Sequence, residues 1–270
     1  MTTAAIQKST SGDTPSPSWF RPVIDAVESV GAFATFAVRI LKAIVHPPYE
    51  FREFIHQLDV IGAKSMPLVA LAGAATGAVL SLQTRDSLAR FGAKSALPAV
   101  IVFSLIKETG PIITGLVSAG RVGAGIGAEL GSMKVTEQID AMQASAVDAH
   151  KYLAATRVMA AMLALPLLTV VADFCGILGG WLAATMADPV SLQLFLSKGF
   201  KAVTFHDIIP PTLKTAVFGL IIGLVSSFQG MRTTGGTEGV GRSATASVVL
   251  SSLLIILSDV VLVRLIIEFF

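Results

Sequence analysis

Residues 65–84 read SMPLVALAGAATGAVLSLQT, twenty residues without a charge, bounded by Lys64 and Arg85. A helix of that length rises about 30 Å, the thickness of a bilayer's hydrocarbon core. Its apolar residues run continuously instead of alternating, which argues for a spanning helix over a barrel strand. Further uncharged runs occupy 158–172 and 174–187, interrupted only by Asp173, then 215–231 and 243–258, the last ended by Asp259. Residues 93–120 are similar apart from Lys107 and Glu108 near their centre. These runs predict an all-α, polytopic membrane protein with about five transmembrane helices, at 63–84, 95–120, 155–186, 210–231 and 244–267.

Composition agrees. The 270 residues are 53% hydrophobic and 14% charged, and the mean hydropathy is +0.74, which together favour the membrane class over a soluble one. A formal charge of +2 gives no sign of a nucleic-acid partner. The single cysteine, Cys175, excludes an intrachain disulfide. Residues 1–19 are rich in Ser, Thr and Pro without an apolar core, so they predict a disordered cytoplasmic tail and not a signal peptide. In residues 20–46, Asp25 and Glu28 come early and Arg39 and Lys42 late, an order that suits the helix dipole. The uncharged stretch between them is too short to span, so 20–54 predicts an interfacial amphipathic helix followed by a turn at Pro47 and Pro48. With the tail inside, the loops at 121–157 and 232–242 are cytoplasmic and obey the positive-inside tendency, while 85–94 does not.

Glycines recur at four-residue spacing: Gly73 and Gly77, Gly123 and Gly127, Gly176 and Gly180, Gly219 and Gly223. Such spacing lets helix backbones approach closely in a membrane, either within one bundle or at a dimer seam. Lys107 and Glu108 stand out more. Charges near the bilayer centre cost about 2.5–3.5 kcal/mol each on insertion scales, and adjacent helical residues point about 100° apart. Both therefore cannot face lipid, and Pro111 just beyond favours a kink. Either this helix is short and the pair lies at an interface, or the pair forms a polar wall of a substrate pathway. Lys214, Asp259 and Asp173 are further intramembrane charges, and Arg242 precedes the fifth span. Each alone reads as a helix-end or snorkelling residue, and together they suggest a partly hydrated interior.

No histidine, cysteine and carboxylate spacing suits a metal, no Gly-x-Ser-x-Gly elbow marks a nucleophile, and no phosphate-binding loop is present. The segment AELGSMKVTEQIDAM, 128–142, is polar in an apolar chain, with Glu129, Lys134, Glu137 and Asp140. Thr136 is placed to cap a short helix with Val135, Ile139 and Met142 on one face. Its acidic residues disfavour an anionic membrane surface and favour docking on a protein.

The run KETGPIITGLVSAGRVGAGIGAELGSMKVTEQIDAM, 107–142, closely resembles the signature region of the MlaE/YrbE permeases, membrane subunits of MCE-type ABC lipid transporters. The likeness continues through ALPLLTVVADFCGILGG (164–180), KTAVFGLIIGLVSSFQG (214–230) and GGTEGVGRSATASVVLSS (235–252), covering the chain from about residue 50 onward. It implies a homodimer in a bacterial inner membrane, an interfacial helix and five spans per subunit, and a permease domain over 55–270. It also implies a separate ABC ATPase that binds ATP and Mg, a periplasmic MCE-domain protein and, in some members, a STAS-domain protein. The chain itself would then be non-enzymatic and without a cofactor, moving phospholipids or similar hydrophobic molecules. On this resemblance 128–142 is the coupling helix, with Glu129, Lys134, Glu137 and Asp140 toward the ATPase. Lys107, Glu108, Lys214, Arg242 and Asp259 become candidates for the lining of a lipid cavity. Many relatives have Arg where this chain has Lys107, which keeps the charge but lacks the planar fork that binds phosphate bidentately. The alternative is a proton-coupled secondary transporter that uses Glu108 and Asp259 as relays.

Overall fold

The computed structural model describes residues 21–47 and 50–269, so the expected tail at 1–19 lies outside the described residues. The described residues are mostly helical, with no strand, and include five helical stretches long and apolar enough to cross a membrane. The protein is a multi-pass membrane protein.

The chain divides into two units, residues 1–38 and 39–270. The described part of the first belongs to helix α1 (Arg21–Val45), which ends two residues before Pro47. Within it, Thr35 Oγ1 donates back to the carbonyls of Gly31 and Ala32, the usual recourse of a mid-helix threonine with no other acceptor. The second unit holds the rest of the chain.

There, α2 (Phe51–Ile61) leads through a 3₁₀ turn into α3 (Met66–Arg90), with Pro67 in the first turn, where its missing N–H costs nothing. The second span is built in pieces: α4 (Leu97–Ser104), a π turn at Leu105–Thr109, α5 (Gly110–Ser118), a second π turn at Ala119–Gly123, and α6 (Ala124–Val135). Pro111 explains the first π turn. It has no N–H for the carbonyl of Lys107, and the chain widens so that Gly110 N donates to Leu105 O, five residues back. A short α7 (Gln138–Ala144) and a third π turn (His150–Ala155) precede α8 (Thr156–Ala187), which passes through Pro166 and Asp173 unbroken. Then come α9 (Leu192–Phe200), α10 (Phe205–Met231) and α11 (Gly236–Phe269).

Helix α8 is the hub. Its contact with α3 is the most extensive in the protein, followed by its contact with α10. A Cβ at Gly73 would collide with the backbone of Ala172, and one at Gly77 with the carbonyl of Gly176. Gly219 meets Ala161 and Gly223 meets Val158 in the same way. The glycine spacings are therefore seams inside one subunit, where close approach supplies the dispersion contacts that the hydrophobic effect cannot supply between helices in lipid. The larger core cluster, around Leu130, Ile139, Leu165, Phe218 and Ile255, ties α6 and α7 to α8, α10 and α11. A second, around Ile101, Leu105, Ile177 and Phe195, seats α9 on α4 and α8.

Two expectations need correction. Residues 128–142 are not one helix: α6 carries the second span on to Val135, and the chain turns at Glu137, whose φ of 60° is left-handed. Thr136 does not cap α7, because its hydroxyl bonds back to Ser132 O at 2.9 Å, and the N-cap position falls to Glu137.

Candidate functional site

The widened turn before Pro111 aims Lys107 and Glu108 at the same neighbour. Lys107 Nζ lies 3.1 Å from Asp207 Oδ1 and 4.7 Å from the centroid of the Phe103 ring. Asp207 occupies the third position of α10 and receives Thr204 N at 3.1 Å, so one carboxylate both caps the helix and pairs with the second span. Glu108 Oε2 lies 2.7 Å from Lys214 Nζ. Asp207 and Lys214 are seven residues apart, two turns along one face of α10. Consecutive residues of the second span thus grip two levels of the fourth.

Lys214 is the centre of the arrangement. Its side chain is only 1% exposed, and its ammonium also lies 2.9 Å from Asp259 Oδ1 on α11, an ion pair whose angle falls outside hydrogen-bond geometry. A charge so far from water is tolerable only when paired, and here two carboxylates from two other spans share it. The consecutive prolines, Pro210 and Pro211, stand inside α10 in its second turn and remove two of its helix hydrogen bonds just before Lys214. Beside Lys214 opens a groove of about 540 Å³ between α10 and α11, walled by Phe205, Ile209, Leu213, Leu262 and Leu265. The result is an apolar trough with a buried, doubly paired cation at its base.

Four of the five cavity candidates are therefore gathered near one end of α10 and α11. Arg242 is not among them. It lies seventeen residues before Asp259, about 25 Å away along the same helix, with its side chain 69% exposed and 4.0 Å from Glu238 one turn earlier. Asp207 was not singled out from the sequence, although Thr-x-x-Asp at 204–207 is a capping signature that marks it as a helix start. Asp173 has no such role. It is buried, its Oδ1 has no hydrogen-bond partner, and it presses on Gly110, where a Cβ would collide with it.

The residues expected toward a partner lie at and just past the other end of the second span. Lys134 Nζ reaches Asp140 Oδ1 at 2.7 Å, clipping α6 to α7 across the turn. Ile139 is buried and Met142 packs on the same core, which leaves Glu137 exposed at the turn between α6 and α7. Glu129 faces elsewhere: its Oε1 accepts from Arg157 Nη2 at 2.8 Å, and Arg157, 2% exposed, also donates to Leu153 O. Among the described residues, no group of three His, Cys, Asp or Glu side chains could hold a metal ion.

Residues 54–265 match the family described as Permease MlaE. The chain belongs to this family. Over 242 residues it is 39% identical to a probable ABC transporter permease protein of Rickettsia bellii, covering 90% of this chain and 93% of that one. It is 31% identical over 245 residues to the intermembrane phospholipid transport system permease protein MlaE of Haemophilus influenzae, with coverage of 90% and 93%. It is also 34% identical over 225 residues to the chloroplast protein TRIGALACTOSYLDIACYLGLYCEROL 1 of Arabidopsis thaliana, covering 83% of this chain and 63% of that one. The match takes in α3 to α10 and most of α11, so it includes every element that builds the groove beside Lys214.

Proposed function

We propose that this permease is the non-catalytic membrane subunit of an ABC transporter that moves phospholipids or closely similar amphiphiles, and that it works as a homodimer in a bacterial inner membrane. The observation that carries the reading is Lys214, buried between Glu108 and Asp259 at the base of an apolar groove. The groove takes acyl chains, and the head-group phosphate competes with the two carboxylates for Lys214. Because those carboxylates belong to the second and fifth spans, exchange of partners at Lys214 changes how three helices are held together. Lys107 and Asp207 hold the mouth of the same pathway.

A separate ATPase binds ATP and Mg and supplies the energy, seated on the knuckle of α6 and α7 with Glu137 as its exposed contact. The Lys134–Asp140 clip makes that knuckle stiff, so a push on α7 passes into α6 and along the second span to Glu108. An MCE-domain protein covers the opposite face, and a STAS-domain protein joins the ATPase. A proton relay through Glu108 and Asp259 is less well supported, since both carboxylates already share one lysine.

The test is reconstitution with the ATPase in vesicles. Glu137→Lys, at an exposed turn, leaves the melting temperature unchanged and abolishes transport-coupled ATP hydrolysis. Wild-type coupling in that variant removes the docking assignment, and lipid flux without any ATPase removes the ABC reading.

A further inference from the structure

A second pocket, more polar than the groove beside Lys214, lies between residues of α2 and α6. It has a volume of about 210 Å³ and is lined by Gln57, Ser65, Arg121, Gly125 and Glu129, with Val60, Val122 and Ile126 as its apolar part. Arg121 sits in the second π turn, and its Nε donates to Ser65 Oγ at 3.0 Å. That bond fixes the guanidinium and leaves the Nη pair of the fork for a ligand. Glu129 has one oxygen on Arg157, and the other is left to accept. Gln57 donates to Glu53 Oε1 at 2.8 Å, which leaves its carbonyl oxygen as an acceptor beside them. A Cβ built at Gly125 meets nothing within 4 Å, so the floor between the two charges is open.

The depth of these groups is informative. Arg121 lies about 36 Å along the second span from Leu97, at the edge of a hydrocarbon core of about 30 Å. Glu129 lies about 12 Å further toward α7, and its side chain leans back toward Arg121, as helical side chains do. A phospholipid of the leaflet on the α7 side therefore meets the cation at phosphate depth and the carboxylate farther out. In a zwitterionic phospholipid the ammonium is the outer group and the phosphate the inner one, so the order of charges in the pocket is complementary to that head group.

We infer that this pocket binds the head group of a zwitterionic phospholipid with a primary ammonium, its phosphate on the Arg121 fork and its ammonium on Glu129 and the Gln57 carbonyl. Val60, Val122 and Ile126 flank its glyceride. The inference needs only the membrane setting of the chain and not the groove beside Lys214, so loss of transport leaves it standing.

The full chain carrying benzoylphenylalanine at Val60 tests it in nanodiscs of either phosphatidylethanolamine or phosphatidylglycerol, with crosslinked lipid measured by mass spectrometry. The ethanolamine lipid should crosslink about tenfold more than the glycerol lipid, the value of one charged hydrogen-bonded contact. Arg121→Ala should lower that yield about tenfold. Gly125→Leu starts from a position where a Cβ meets no neighbour and projects into the open floor, so it should do the same while keeping the melting temperature, and Glu129→Gln should make the two lipids equal. Equal crosslinking of the two lipids by the wild-type chain overturns the inference, as does a yield that neither Arg121→Ala nor Gly125→Leu changes.

Discussion

The seam between α3 and α8 and the groove between α10 and α11 solve opposite problems with neighbouring helices. Along the seam, Gly73 and Gly77 let α3 lie on the backbone of Ala172 and Gly176, and Gly179 returns the favour against Ala74. No side chain there can be rearranged because hardly any is present. In the groove, long apolar side chains line a space between the helices, and its buried cation is shared by two carboxylates. A helix pair joined through backbone has one arrangement, whereas a pair joined through a shared ion can have several of similar energy. The seam is thus the frame, and the groove is where a transporter can move.

The seam gives the largest predicted effect. Gly77→Leu would drive a side chain into the carbonyl of Gly176, which no rotamer relieves, and should cost about 3 kcal/mol or more, seen as loss of monodisperse protein by size exclusion. The Gly125→Leu substitution has open space before it and should leave folding intact. If Gly77→Leu folds as well as Gly125→Leu, α3 and α8 are not in backbone contact and the distinction between frame and moving part fails.

The groove gives the second effect. Lys214→Ala leaves Glu108 and Asp259 facing each other without a cation, at a cost of about 3–5 kcal/mol, measured as a fall in melting temperature. Lys214→Met combined with Glu108→Gln and Asp259→Asn removes all three charges and should restore stability to within about 1 kcal/mol while leaving lipid transport abolished. Transport by that triple variant would show the charges to be structural only, and the groove would then be as static as the seam.

These two regions were not equally legible in the sequence. Long apolar runs placed all five spans even where single charges interrupt them, because about twenty mainly apolar residues are what the bilayer demands. Their ends were misjudged, since hydropathy reports the membrane and not the helix: α6 continues to Val135 and α11 begins at Gly236, both past the expected limits. The seam was visible as glycine spacing, but spacing alone could not say whether the partner was α8 or a second subunit. At the groove, Lys107, Glu108, Lys214 and Asp259 announced themselves as charges in apolar runs, while their pairing depended on a π turn that no periodicity encodes. Arg242 was included for its charge and lies apart from the other four along α11. Arg157 and Asp207 were passed over because each stands at a helix start, where a charge looks unremarkable.

The smallest effect lies where the seam leaves the membrane. Arg85, near the end of α3, approaches Asp188, just past α8, with Nη2 and Nε at 2.8 and 3.3 Å, and Lys94 Nζ lies 3.8 Å away. The hydrogen bonds and charge of Arg85, followed by the charge of Lys94, hold the Asp188 carboxyl below its ordinary range. The folded protein therefore binds this proton less readily than the unfolded chain does. The contribution is fully present above the ordinary carboxylate range and is lost as pH falls through the lowered value. Because Asp188 stands in solvent, the tie is weak and salt screens it. Asp188→Asn should lower the melting temperature slightly at pH 7, and the gap to wild type should close as the pH falls below the ordinary carboxylate range or as salt is raised. A gap that persists under both conditions would mean that Asp188 acts through packing, and that the seam is held at its outer end by something other than charge.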